Sequence, residues 1–204
     1  TMELAEQLTQ RSAMRYDREG DQHYDLLSAL QKSIRGSDEN AALHYTARLL
    51  AANDLLSVCR RLLVIAAEDI GLAYPQAVPI VKACVDSALQ LGLPEAKLPL
   101  AQAALVIATA PKSNSVSSGI AAAWSDAEKN AYDPPEHLRD AHYQGAQKLG
   151  HGTGYRFPHD YPYHYVTQQY LPDSLKNAHY YTPGPNKMEQ QTEAYWQKVK
   201  GTKG

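Results

Sequence analysis

His151, His159, His164 and His179, with Asp160 among them, form the densest run of metal-competent side chains in the sequence. Zinc chemistry needs such ligands at motif spacing, H-E-x-x-H on one helix face or a Cys/His finger. These intervals fit neither pattern, so the histidines read as hydrogen-bonding members of a tyrosine-rich stretch, with a metal-binding protein as the remote alternative. Lys112-Ser113 is the terminal pair of a phosphate loop without the glycines, and it follows a helical pattern where that loop needs a strand. Gly150-His151-Gly152-Thr153-Gly154 misses the dinucleotide spacing and reads as a turn. No serine sits in a G-x-S-x-G elbow. The residues therefore predict no catalytic group, no bound metal and no cofactor in this chain.

Charge is the second kind of chemistry to place. Glu68 and Asp69 fall in what reads as the last turn of a helix, where exposed carbonyls disfavour each negative charge by roughly 0.3–1 kcal/mol. A broken local rule predicts a specific partner, an arginine on another helix or on another subunit, against the plainer reading of an exposed acidic helix end. Lys32, Arg35, Arg60, Arg61 and Lys112 are the cations nearest to capped helix ends. Lys32, Arg35 and Lys112 are the candidates for contact with DNA phosphates, although most such residues are solvated or paired with local acids. The net charge of −2 means that any nucleic-acid contact has to come from a local patch.

The elements that hold these residues follow from periodicity. Leu55 to Ala77 (LLSVCRRLLVIAAEDIGLAYPQA) is apolar around most of a helical wheel, which predicts a central helix buried on all sides, ended by Gly71. It is too short to span a bilayer, and no longer apolar run exists. Before it, helices are predicted over Gln22–Ile34 and Glu39–Ala52, the second capped by Ser37 or Asp38 and joined to the central helix through the tight Asn53-Asp54 connection. After it, Val78, Val81, Val85 and Ala88 predict one helix face, and Leu98, Ala101, Leu105 and Ala108 another, on a helix from Pro94 to Ala110. A further helix, Ser113 or Asn114 to Tyr132, is poor in large side chains. Its alanines and serines permit close approach of a neighbour.

Asp133-Pro134-Pro135-Glu136 predicts a capped short helix running to Leu149-Gly150, and a last helix spans Met188 to Val199. Residue usage changes near Ala131, after which tyrosine and proline accumulate. That much ring surface predicts an ordered arm between Gly152 and Asn186. Cys59 and Cys84 lie in apolar helical runs and read as buried, reduced thiols. The expected class is all-α, a multi-helix orthogonal bundle with an irregular Tyr/Pro-rich C-terminal arm. Its expected divisions are 1–20, a linker left from an upstream domain; 21–132, the helical domain; and 133–204, the short helix, arm and terminal helix.

Three segments carry a resemblance: His23 to Asp38 (HYDLLSALQKSIRGSD), Arg60 to Ala73 (RRLLVIAAEDIGLA) and Leu100 to Asn114 (LAQAALVIATAPKSN). In this order they resemble the C-terminal part of the replication-associated recombination protein A family, AAA+ ATPases akin to the Werner helicase interacting protein. Leu138-Arg139, Gly150-His151-Gly152, Tyr155, Pro158-His159-Asp160 and Gln169-Tyr170-Leu171-Pro172 extend the likeness. Tyr161-Pro162-Tyr163-His164-Tyr165 departs from it by being richer in rings.

The resemblance implies a helical region that follows the AAA+ lid, comparable to the collar of clamp loaders. The nucleotide-binding domain, with its ATP and Mg, would then lie upstream. It also implies homotetramers, DNA-stimulated ATP hydrolysis, action at stalled forks, replication-fork proteins as partners, no membrane, and a cytoplasmic, nucleoid-associated location. This chain is then expected to be an oligomerisation module rather than an enzyme, with a DNA- or partner-binding module as the alternative. The candidate subunit-interface residues are Arg60, Arg61, Glu68, Asp69, Ser117 and Ala121.

Overall fold

The structure is a computed structural model that describes residues 21–129, 131–140 and 152–201. The linker expected over 1–20 and the segment 141–151, with His151, lie outside the described residues. Every regular element is helical, with no strand among the described residues. The chain forms two compact units, Thr1–Ser117 and Ser118–Gly204.

In the first unit α1 (Asp21–Arg35), α2 (Glu39–Ala51) and α3 (Leu55–Ile65) are joined by short turns. Asp38 caps α2 by accepting the Ala41 N–H at 2.8 Å, and Asp54 caps α3 by accepting that of Ser57 at 3.3 Å. Asp54 is buried and also faces the buried His23 Nδ1 at 3.1 Å, fastening the start of α1 to the start of α3. After Ile65 the helix widens into a π-helical turn, Ala66–Ile70, and tightens into a 3₁₀ turn, Gly71–Ala73. Then come α4 (Ala77–Leu91), α5 (Lys97–Thr109) and α6 (Ser115–Lys129), which continues into the second unit. The core is contributed by α1 to α5 together, with Leu30, Ile34, Leu49, Leu62, Ile65, Leu100 and Ile107 fully buried. Cys59 and Cys84 are buried and free, and burial pushes both thiols upward in pKa, which keeps them protonated and unreactive.

Two predicted faces are wrong, for one reason. The central helix is not buried all round: Leu56 is 57% exposed and Val64 47%. On α5 the buried face is Leu100, Ala103, Ala104, Ile107 and Ala108, whereas the expected Leu98 is 68% exposed. Where apolar residues surround a helix, periodicity cannot choose the buried side, and the neighbours choose it. Val78 is likewise exposed, while Val81, Val85 and Ala88 are buried as the stripe on α4 predicts. Pro79 sits in the first turn of α4, where no helical hydrogen bond is lost.

In the second unit, the helix expected from Pro134 is a single 3₁₀ turn, Glu136–Leu138, as far as the described residues go. The arm from residue 152 to 186 has only three such turns, Pro158–Asp160, Pro162–His164 and Asp173–Leu175, before α7 (Lys187–Gly201). It is held by specific contacts. Gln168 brackets the Arg156 backbone, accepting its N–H at 3.2 Å and donating to its carbonyl at 2.8 Å. Tyr165 packs edge-on to Trp196 of α7 with ring centroids 6.2 Å apart. Glu189, buried in the first turn of α7, accepts from Tyr181 Oη at 3.0 Å, and its own N–H donates to the capping Asn186 Oδ1 at 3.0 Å.

The small residues of α6 do admit a close neighbour, and that neighbour is this same arm. A Cβ at Gly119 would stand 3.1 Å from the Tyr180 carbonyl oxygen. Beside it Tyr180 Oη donates to Asp126 Oδ2 at 3.0 Å. Gly119→Ala gains about 1 kcal/mol of helix propensity against a cost of about 1–3 kcal/mol for overpacking on the Tyr180 backbone, so a net loss of about 1 kcal/mol is expected, read as a lower urea midpoint at unchanged slope. The Asp126 carboxyl is held below its usual range by Lys129 and then by Tyr180. The Tyr180 hydroxyl is raised, first by burial and then by its hydrogen bond to Asp126. A depressed acid contributes stability above the ordinary carboxylate range and loses it as pH falls through the depressed value. A raised tyrosine contributes below the ordinary phenol range and loses it as pH rises through the raised value. The tie thus holds from mildly acidic to mildly alkaline pH. Near-ultraviolet circular dichroism should show an acid transition of the arm that Asp126→Asn removes.

Candidate functional site

The three sequence segments singled out above converge on the π-helical turn. Leaving the α-helical register places Glu68 and Asp69 at a widened turn closed by the Gly71 N–H on the Ala66 carbonyl. Arg35, at the end of α1, donates from Nε to Asp69 Oδ1 at 2.5 Å and from Nη2 to Glu68 Oε1 at 3.4 Å. Gln31, one turn earlier on the same face, donates to Glu68 Oε2 at 3.0 Å and Asp69 Oδ2 at 3.2 Å, and accepts from Arg61 Nη1 at 3.0 Å. The third segment enters through backbone: the Ser113 N–H donates to the Asp69 carbonyl at 2.8 Å. Ser113 Oγ then accepts the Ser115 N–H at 3.3 Å, starting α6.

Gly71 makes this junction possible. Its φ of +46° is open only to glycine at low cost, and a Cβ there would meet Val116 Cγ2 at 3.3 Å and the Ser113 carbonyl at 3.4 Å. Asp69 is buried and Arg35 half-exposed. The Arg35 pKa is raised, chiefly by its hydrogen bond to Asp69, against a smaller desolvation effect. Lys112 Nζ folds back onto the Ala108 carbonyl at 2.9 Å and that of Ala110 at 2.5 Å, closing the end of α5. Burial lowers its pKa, and the nearby Asp69 opposes that.

Glu68 and Asp69, expected to meet either another helix or another subunit, meet Arg35 of their own chain. Of the candidate DNA contacts, Arg35 is engaged by both acids and Lys112 by carbonyls, whereas Lys32 is exposed. Among the interface candidates Arg61 is half-buried on Gln31, Ser117 Oγ donates to the Asn114 carbonyl at 3.0 Å, and Arg60 and Ala121 are exposed. Sequence reasoning passed over Gln31 and Gly119. Gln31 was findable, since it lies four residues before Arg35 and so shares its face. Among the described residues no three His, Cys, Asp or Glu side chains come together as a metal site, and the rings of His159 and His164 lie 4.8 Å apart, tilted at 53° to each other. No described helix is long and apolar enough to cross a membrane. The hub binds its own chain, and its geometry is that of a joint.

A family model described as MgsA AAA+ ATPase C terminal matches residues 36–200, and one described as AAA C-terminal domain matches residues 1–35. The chain belongs to the MgsA AAA+ ATPase C-terminal family. It is 55% identical over 184 residues to replication-associated recombination protein A of Bacillus subtilis (strain 168), covering 90% of this chain and 44% of the relative. To the protein of that name in Escherichia coli (strain K12) it is 41% identical over 184 residues, covering 89% and 41%. To ATPase WRNIP1 of Dictyostelium discoideum it is 38% identical over 177 residues, covering 85% and 20%. The chain thus spans about two-fifths of the length of the bacterial relatives, matching their C-terminal part.

The joint has a measurable weight. Asp69→Ala removes a buried acceptor of charged and neutral donors and should cost about 1–2 kcal/mol, discounted from the usual value because Arg35 is half-exposed. Glu68→Ala, at a long and exposed contact, should cost less than about 0.5 kcal/mol. Urea unfolding of both variants checks the order; equal losses would contradict it.

Proposed function

We propose that this chain is the assembly module of a DNA-dependent AAA+ ATPase of replication, recombination and repair, holding subunits together as a homotetramer while contributing no catalytic group. ATP and Mg would belong to a nucleotide-binding part of the whole protein, and DNA and replication-fork proteins would be reached by that whole protein in the cytoplasm, near the nucleoid. The observation that carries the reading is on α6. Ile120 is 60% exposed and Trp124 63%, four residues apart on one face, with the small Ala121 and Ala123 beside them. Large apolar side chains exposed together mark interaction surfaces. Membership in a family of multi-subunit-type ATPases, drawn from the resemblance, points the same way. Ser117 and Ala121 remain candidates for the contact, while Glu68, Asp69 and Arg61 already serve the joint and Arg60 lines a cleft on α3. Direct DNA binding is the weaker reading, since only Lys32 of its three candidate cations is left unengaged.

Light scattering behind a sizing column decides it. The expected mass is four times the 22.5 kDa of one chain, stable over concentration. Ile120→Glu with Trp124→Glu should reduce it to a single chain without loss of helicity. A monomer at every concentration in the unaltered protein would overturn the assignment.

A further inference from the structure

The exposed side of α3 offers a second surface. α1 and α3 run side by side in one direction, as the contacts His23–Asp54, Gln31–Arg61 and Arg35–Asp69 show in succession. Between them lies a cleft lined by Leu27, Ser57, Arg60, Arg61 and Val64. Its wall is apolar at Leu27 and Val64, and Leu56 lies exposed one turn before Arg60. Arg60 is exposed, and Arg61 is anchored by Gln31 while its buried Nε has no partner. Neither arginine has an ion pair among the described residues, although every other acid–base joint nearby is closed. Two uncompensated positive charges beside an aliphatic wall attract a negative group that carries apolar surface. Nucleic acid would satisfy the arginines but leave Leu56 and Val64 uncovered.

We propose that the α1–α3 cleft docks a short acidic-aliphatic peptide segment of a partner protein. An aliphatic side chain lies between Leu27 and Val64, and a neighbouring carboxylate pairs with Arg60. The proposal is independent of the oligomeric state.

It is tested on the whole 204-residue chain by fluorescence anisotropy, with a fluorescein-labelled peptide of two leucines among four aspartates as probe. Binding is expected, weakened by roughly tenfold or more in Arg60→Glu and also in Val64→Ser, each checked for unchanged helicity. Replacing the leucines of the probe by serine should weaken it comparably. Absence of binding overturns the proposal, as does indifference to both substitutions. Equal binding of the serine peptide reduces the effect to bulk charge and also overturns it. Binding of a twenty-nucleotide oligothymidylate that depends on Arg60, with the peptide inert, would reassign the cleft to nucleic acid.

Discussion

Asp69 bears two penalties at once: it is buried, and it stands at the carbonyl end of a helix, where the local dipole opposes negative charge. Neither is tolerable for an isolated carboxylate. Both are offset by the Arg35 guanidinium at 2.5 Å and the Gln31 amide at 3.2 Å. Because Arg35 closes α1 and Asp69 sits at the π-helical turn after α3, this pair fixes how the two helices lie. Because the Asp69 carbonyl also accepts from Ser113, it fixes where the chain enters α6. Segments separated by more than thirty residues on either side are thus brought to one turn.

The joint explains why a π-helical turn occurs here. A regular α-helix would carry successive side chains about 100° apart, whereas Glu68 and Asp69 both reach the same arginine and the same glutamine. Widening the turn narrows that angle, and Gly71, with its positive φ, ends the distortion within one residue. The polar groups consumed in this way are unavailable for chemistry. The joint lies within the region matched as the C-terminal part of AAA+ ATPases.

The second unit is organised on a different principle. Among the described residues it has little aliphatic core, and its arm is held by hydrogen bonds and ring edges, with Gly119 and Asp126 of α6 receiving Tyr180 and with α7 receiving Tyr165 and Tyr181. Ile120 and Trp124 are left outward on α6 once Gly119 has turned to the arm. One helix thus presents small residues to its own chain and large ones to the outside.

Much was legible in the sequence. The helices of the body, the cap at Asp38, the stop at Gly71, the placement of Pro79 and the irregular arm all follow from local rules, because caps, glycine conformations and proline sterics are decided within a few residues. The anomaly at Glu68-Asp69 was also visible, since it violates such a rule. Which arginine answers it was not, because Arg35 lies 34 residues away and only packing brings it there. The buried sides of α3 and α5 were undetermined for the same reason: a helix apolar on every side carries no directional signal, so the neighbours decide what is covered. What they left uncovered, the α1–α3 cleft and the outward Ile120 and Trp124 of α6, only the tertiary structure could show, because exposure depends on which neighbours pack where.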